Sequence, residues 1–288
     1  MTSRTRLLLV ALLVAIAPSV AAAQTVATSA PVAPTFPGQW APPPAEWKYP
    51  VWPNGCTRFD GEERLACYAF VTSDFGRLSR YADANRALAP AAPDQARVVF
   101  FGDSITDRWS QPQSGGFFPG RPYVNRGIGG QTTGQMLLRF RADVLALSPR
   151  VVVILAGTND LAGNAGPVTP DQLMDNLMTM TQLAKLRGIR VVLASILPVA
   201  DDKTDATGQP LIRSRGKPLE LLKSINGRIA DYASTEGKVQ FLDYFTAMAT
   251  PAGTLRPELN DDGLHPNKAG YAVMGPLAEK AVAAALSN

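Results

Sequence analysis

Histidine is almost missing from this chain. Its 288 residues include one, His265, and two cysteines, Cys56 and Cys67. So few nitrogen and sulfur donors cannot build the usual zinc sites. If imidazole chemistry occurs anywhere, it occurs at His265. Blocks of basic charge are missing too. The formal charge is +4, two units of it from Arg4 and Arg6 near the start, and the rest is mixed along the chain. That leaves no stripe suited to nucleic acid. Beyond residue 23 no run is long and apolar enough to span a bilayer. Neither the phosphate-loop spacing G-x-x-x-x-G-K-[ST] nor the nucleophile-elbow spacing G-x-S-x-G occurs. Gly127-Ile128-Gly129-Gly130 fails as a dinucleotide fingerprint, because position 132 is threonine. Apolar residues are plentiful at 46%, enough for a full core.

Residues 1–23 have the three parts of a secretory signal. Arg4 and Arg6 make a basic start, 7–17 is a short apolar stretch, and Ala21-Ala22-Ala23 offers a cleavage site before Gln24. No cysteine follows closely enough for a lipid anchor. The mature protein is expected in the periplasm or outside the cell. An oxidising compartment favours a disulfide between Cys56 and Cys67, with two free thiols as the alternative. The loop is short, so the bond should contribute about 2–3 kcal/mol.

Residues 24–55 read as a Pro-rich arm or linker. Trp40, Trp47, Tyr49 and Trp52 are dense for a linker and either pack on the domain or bind a sugar or partner. Residues 56–96 read as a helical extension. Leu65, Tyr68, Ala69, Phe75, Leu78 and Tyr81 fall at helical spacing over one or two helices. From residue 97 the pattern alternates. Strand runs are expected at 98–101, 123–125, 151–156, 191–195 and 239–242. Helical patterns fall at 133–147, 171–187, 219–234 and 268–285. Val151-Val152-Val153-Ile154-Leu155 is apolar without alternation, as a central parallel strand should be. The expected fold is a three-layer α/β domain with five parallel strands and helices on both faces.

Val98-Val99-Phe100-Phe101 runs directly into Gly102-Asp103-Ser104. Ser104 thus sits at the carboxyl end of a strand, where open α/β sheets keep their ligands. Its hydroxyl is either a nucleophile or a helix N-cap. Asp103 reads as a brace for the turn. Asp262 and His265 stand three apart on a turn and can reach each other; Asp261 is near, but the offset favours Asp262. The alternative is a surface-loop histidine. A serine hydrolase needs such a base, an acid to hold it, and donors for an oxyanion. Two further loops leave the same sheet edge. One carries Gly130. The other, Gly157-Thr158-Asn159-Asp160, carries Asn159, which either enters the site or closes a turn. The Ser104 N–H, the Gly130 N–H and the Asn159 amide are therefore candidate oxyanion donors, each worth about 3–4 kcal/mol of transition-state stabilisation. Thr106, Asp107 and Trp109 follow Ser104 closely. Trp109 either stacks on substrate or lies in the core. The polar segment 200–218 should line the rim. No long apolar stretch suggests a lid.

Taken in order, these stretches resemble the SGNH (GDSL) hydrolase family of esterases and lipases. Gly102-Asp103-Ser104-Ile105, Asn125-Arg126-Gly127-Ile128-Gly129-Gly130, Gly157-Thr158-Asn159-Asp160 and Asp262-Gly263-Leu264-His265 look like four of its blocks, in order. The likeness runs from about residue 97 to the end; residues 24–96 fall outside it. The second block also looks like the branch containing platelet-activating-factor acetylhydrolase. The resemblance implies a flavodoxin-like α/β/α sandwich and neither a metal nor an organic cofactor. It implies Ser104 as nucleophile, His265 and Asp262 as the other triad members, and Ser104, Gly130 and Asn159 as the oxyanion hole. The expected activity is hydrolysis of short-acyl esters of a small molecule or carbohydrate, by an exported enzyme with no nucleic-acid partner and no stable membrane anchor. Alternatives are a lysophospholipase or thioesterase, or a non-catalytic binding module that uses residues 24–96 as its interaction surface.

Overall fold

A computed structural model describes residues 60–63, 65, 72–92 and 95–287. The expected leader, the arm and the Cys56–Cys67 pair lie outside the described residues.

Five short runs of β-branched and aromatic residues form the sheet: β1 (Val98–Gly102), β2 (Tyr123–Gly127), β3 (Val151–Leu155), β4 (Arg190–Ala194) and β5 (Val239–Leu242). All pair in parallel, in the order β2-β1-β3-β4-β5. This is the flavodoxin-like order, whose reversal lies between β1 and β3. The loops after those two strands diverge there and leave a crevice. Every residue of β1 and of β3 is buried, so both faces of the sheet must be covered.

The helices provide that cover. They are α1 (Ala82–Ala87), α2 (Ser104–Arg108), α3 (Thr133–Asp143), α4 (Thr158–Leu161), α5 (Pro170–Leu186), α6 (Leu219–Thr235), α7 (Tyr244–Met248) and α8 (Lys268–Ser287). On one face Val98, Phe100, Val151, Val153 and Val192 meet Met274, Ala278 and Val282 of α8. On the other, Phe101 packs edge-on against Phe140 of α3 at 5.4 Å, and α5 and α6 continue that layer against β4 and β5. Among the described residues no helix is long and apolar enough to cross a membrane.

The helix expected over 133–147 breaks early. Val144, Leu145 and Leu147 are all buried. A straight helix would spread them around almost half its circumference. Val144 leaves helical geometry instead, and Leu145–Leu147 forms a 3₁₀ turn that points them inward.

Among the described residues of the extension, 61–63, 65, 72 and 73 are helical, and a 3₁₀ turn, Leu78–Tyr81, leads into α1; Leu65, Phe75 and Leu78 are exposed. Tyr81 anchors it. The Tyr81 hydroxyl donates to the Gly127 carbonyl, and its ring has the guanidinium groups of Arg80 and Arg126 at 4.8 and 4.7 Å.

Gly127 ends β2 because α2 crosses above it. A Cβ there would lie 2.1 Å from the Asp107 backbone nitrogen and 2.6 Å from the Thr106 carbonyl carbon. Backbone cannot move aside as a side chain can. Gly127→Ala is therefore expected to cost about 3 kcal/mol or more, read as a lower urea midpoint at unchanged slope.

Candidate active site

Ser104 is presented by a turn that other residues hold. Asp103, not Ser104, is the N-cap of α2: its carboxylate accepts from the Ile105 N–H at 2.9 Å. This corrects the capping role considered for Ser104. With the cap made by its neighbour, the serine occupies the first helical position and its hydroxyl points elsewhere. Asp103 braces the turn, as its sequence position suggests. On the far side of α2, Tyr271 of α8 donates to the Ile105 carbonyl at 2.7 Å. Trp109 stacks on that tyrosine at 5.0 Å and is 4% exposed. Of its two readings, the structure takes the core one.

The Ser104 hydroxyl lies 2.9 Å from His265 Nε2, and His265 Nδ1 lies 2.7 Å from Asp262 Oδ2. The Asp262 carboxylate also accepts from the N–H groups of Leu264 and His265, at 3.0 and 2.8 Å. One turn thus fixes both side chains. Burial works against the Asp262 charge. The hydrogen bonds from the His265 ring and from the two backbone N–H groups outweigh it and hold the carboxyl well below the usual carboxylate range. An ionised carboxylate can only accept. The proton of the neutral imidazole therefore sits on Nδ1, which leaves Nε2 to accept from Ser104.

Two arginines support this turn, and sequence reasoning missed both. Arg213 donates through Nε to the Asp262 carbonyl at 2.8 Å and brings a second nitrogen to 3.6 Å from Oδ2. Arg108 stands 3.8 Å from the same oxygen. Arg213 belongs to the polar segment expected at the rim. The alternation of Arg213, Arg215 and Lys217 there was the available signal.

The Gly130 and Asn159 loops open onto the same cavity as Ser104 and His265, a space of about 550 Å³. Gly130 takes φ +80°, a left-handed conformation that favours glycine. Asn159 donates one amide hydrogen to the Gln131 carbonyl at 2.9 Å, and its oxygen accepts from Asn164 at 2.8 Å. The amide is oriented at both ends and keeps one hydrogen for the cavity. Asn164, another residue no motif marked, also donates to the Gly130 carbonyl at 3.2 Å. The Gln131 side chain is itself gripped. It accepts from Arg139 and donates to the carbonyl of Gly76, in the extension, at 3.0 Å. From the same side Arg80 reaches within 3.6 Å of Asp107, whose carboxylate accepts from the Gly129 N–H.

Two carboxyls under the site are deeply buried. Burial pushes Asp103 up to about 7, with the Asp160 charge adding to the shift and the Ile105 N–H bond opposing it. Burial pushes Asp160 up to about 6 against its hydrogen bonds from Thr133. A folded pKa above the unfolded value of about 3.9 means that the folded state holds protons longer. The stability so gained is full below about pH 4 and is lost as pH rises through about 7. The urea midpoint is expected to fall between pH 5 and 8, by the equivalent of a few kcal/mol. Asp103→Asn, which can still cap, should flatten that slope.

Known proteins share this architecture. The structure matches a GDSL-like lipase of Bacteroides thetaiotaomicron with a TM-score of 0.66 and 39% identity, over 73% of this chain and 99% of the other. A Bacteroides fragilis protein provisionally assigned as an acylhydrolase matches with a TM-score of 0.67 and 39% identity, over 74% and 99%. The uncharacterized lipoprotein YqeF of Bacillus subtilis is 35% identical over 81 residues, 27% of this chain and 33% of that protein, so the alignment spans a third of that relative's length. The profile of the GDSL-like lipase/acylhydrolase family matches residues 100–273, and the chain belongs to that family.

Proposed function

We propose that the protein is an exported serine esterase that removes short acyl groups from a small-molecule or carbohydrate ester. The observation that carries this reading is the relay from Ser104 Oγ through the His265 ring to Asp262, at 2.9 and 2.7 Å.

In this reading His265 Nε2 takes the hydroxyl proton as Ser104 Oγ attacks the ester carbonyl. The ring then carries a positive charge, which Asp262 stabilises. The oxyanion receives the N–H groups of Ser104 and Gly130 and the free amide hydrogen of Asn159. His265 returns its proton to the departing alcohol. A water, deprotonated by the same nitrogen, releases the acyl group from Ser104. A short acyl group suits the lining, whose apolar side chains include only Ala162, Ile212 and Leu264. A long chain would find little to bury against. Export is supported by the basic and apolar leader and by the likeness to a lipoprotein.

Asn159→Ala tests the oxyanion assignment. Its kcat on p-nitrophenyl acetate is expected to fall about 100- to 1,000-fold, with KM little changed. A fall of less than about fivefold would remove Asn159 from the hole. A panel of p-nitrophenyl esters from acetyl to decanoyl tests the acyl reading: kcat/KM should drop beyond butyryl. A rise towards decanoyl would favour a lysophospholipase.

A further inference from the structure

Lys217 is a lysine in an unusual position. It is 6% exposed, and it lines the same cavity as Ser104 and His265. Among the described residues its ammonium has neither a carboxylate nor a hydrogen-bond partner. The acid nearest to it in effect, Asp201, is occupied. Its carboxylate accepts from the N–H groups of Arg213 and Ser214 and from the Ser214 hydroxyl. Burial pushes the Lys217 ammonium down to about 8, with the Arg213 charge adding to this and Asp201 opposing it. A largely buried ammonium with no counter-charge in the protein is costly unless something supplies one.

Most of the other charges on the wall have the same sign. Arg108, Arg213 and Arg215 line the cavity beside Lys217. Arg108 and Arg213 share the single Asp262 carboxylate. Asp107, the one carboxylate in the lining, is engaged by Arg80 and the Gly129 N–H. A concave wall whose charges are mostly of one sign concentrates ligands of the other.

We propose that Lys217, flanked by Arg213 and Arg215, forms a subsite for an anionic group on the substrate, a carboxylate or a phosphate carried by the alcohol part of the ester. The alcohol side follows from the short acyl group, which leaves the rim to the rest of the molecule. The assignment rests on the esterase reading of the same cavity.

Three acetyl esters test it: 4-acetoxybenzoate, 4-acetoxyphenyl phosphate and the neutral 4-acetoxybenzamide. At pH 7 the wild-type kcat/KM is expected to favour at least one anion over the amide by about tenfold or more. The benzoate and phosphate arms show which anion is taken. Lys217→Met should collapse the preference to near one, and Lys217→Arg should keep most of it. No preference in the wild type, or a preference that survives in Lys217→Met, would overturn the subsite. If none of the three esters is turned over, the esterase reading fails, and calorimetry decides the subsite alone. Tighter binding of 4-hydroxybenzoate or 4-hydroxyphenyl phosphate than of 4-hydroxybenzamide, lost in Lys217→Met, would sustain it. Equal binding would end it.

Discussion

Ser104→Ala is expected to lower kcat on p-nitrophenyl acetate by about 10⁴-fold or more, to the background of the oxyanion donors. The cap of α2 is the Asp103 carboxylate, and α2 is tied to α8 through Tyr271. None of these bonds uses the Ser104 hydroxyl, whose one partner among the described residues is His265 Nε2. Alanine is a good helix former, so the first helical position tolerates it. Folding stability should change by less than about 0.5 kcal/mol. The variant thus separates chemistry from structure: a urea midpoint like the wild type's beside absent turnover is the expected pair. Turnover within tenfold of the wild type would remove Ser104 as nucleophile.

Asp262→Asn should lose about 10³- to 10⁴-fold in kcat. An asparagine keeps an oxygen for the Leu264 and His265 N–H groups, so the turn can persist. What it cannot do is oblige His265 to carry its proton on Nδ1. An amide offers N–H to that nitrogen as readily as oxygen. The ring can then present Nε2–H to Ser104, a tautomer unable to take the serine's proton. The substitution also leaves Arg108 and Arg213 without the carboxylate they approach at 3.8 and 3.6 Å. In the wild type the low Asp262 pKa contributes stability above the ordinary carboxylate range, and this is lost as pH falls through it. Asp262→Asn should therefore be less sensitive to acid as well as slow. A kcat within tenfold of the wild type would mean that another group orients His265.

Much of this was legible in the residues. Parallel strands buried on both faces are apolar throughout, and 151–155 could be little else. The lone histidine limited where a base could be. The loops of Ser104, Gly130 and Asn159 each follow a strand, so topology alone placed them on one edge. The support of those loops was not legible. Arg213 meets Asp262 across 49 positions, and no local pattern encodes that. Asn164 looks like any loop asparagine until its amide is seen between Asn159 and Gly130. The identity of the α2 cap turned on which of two adjacent small polar residues faced inward, and only packing decides that. Trp109 posed the same question, and the aromatic cluster around Phe100 and Tyr271 answered it.

The contacts made by residues 75–81 bear on where this protein can be cut. The family match opens at residue 100, which invites a minimal fragment beginning just before β1. Such a fragment would lose the Gly76 carbonyl from Gln131, the Tyr81 hydroxyl from Gly127 and the Arg80 charge from Asp107. Gln131 bears on Asn159 through its own carbonyl, and Gly127 lies under α2. The recognisable homology unit is therefore smaller than the cooperative one. Residues 76–81 act as a buttress behind the loops that carry Gln131, Gly127 and Asp107.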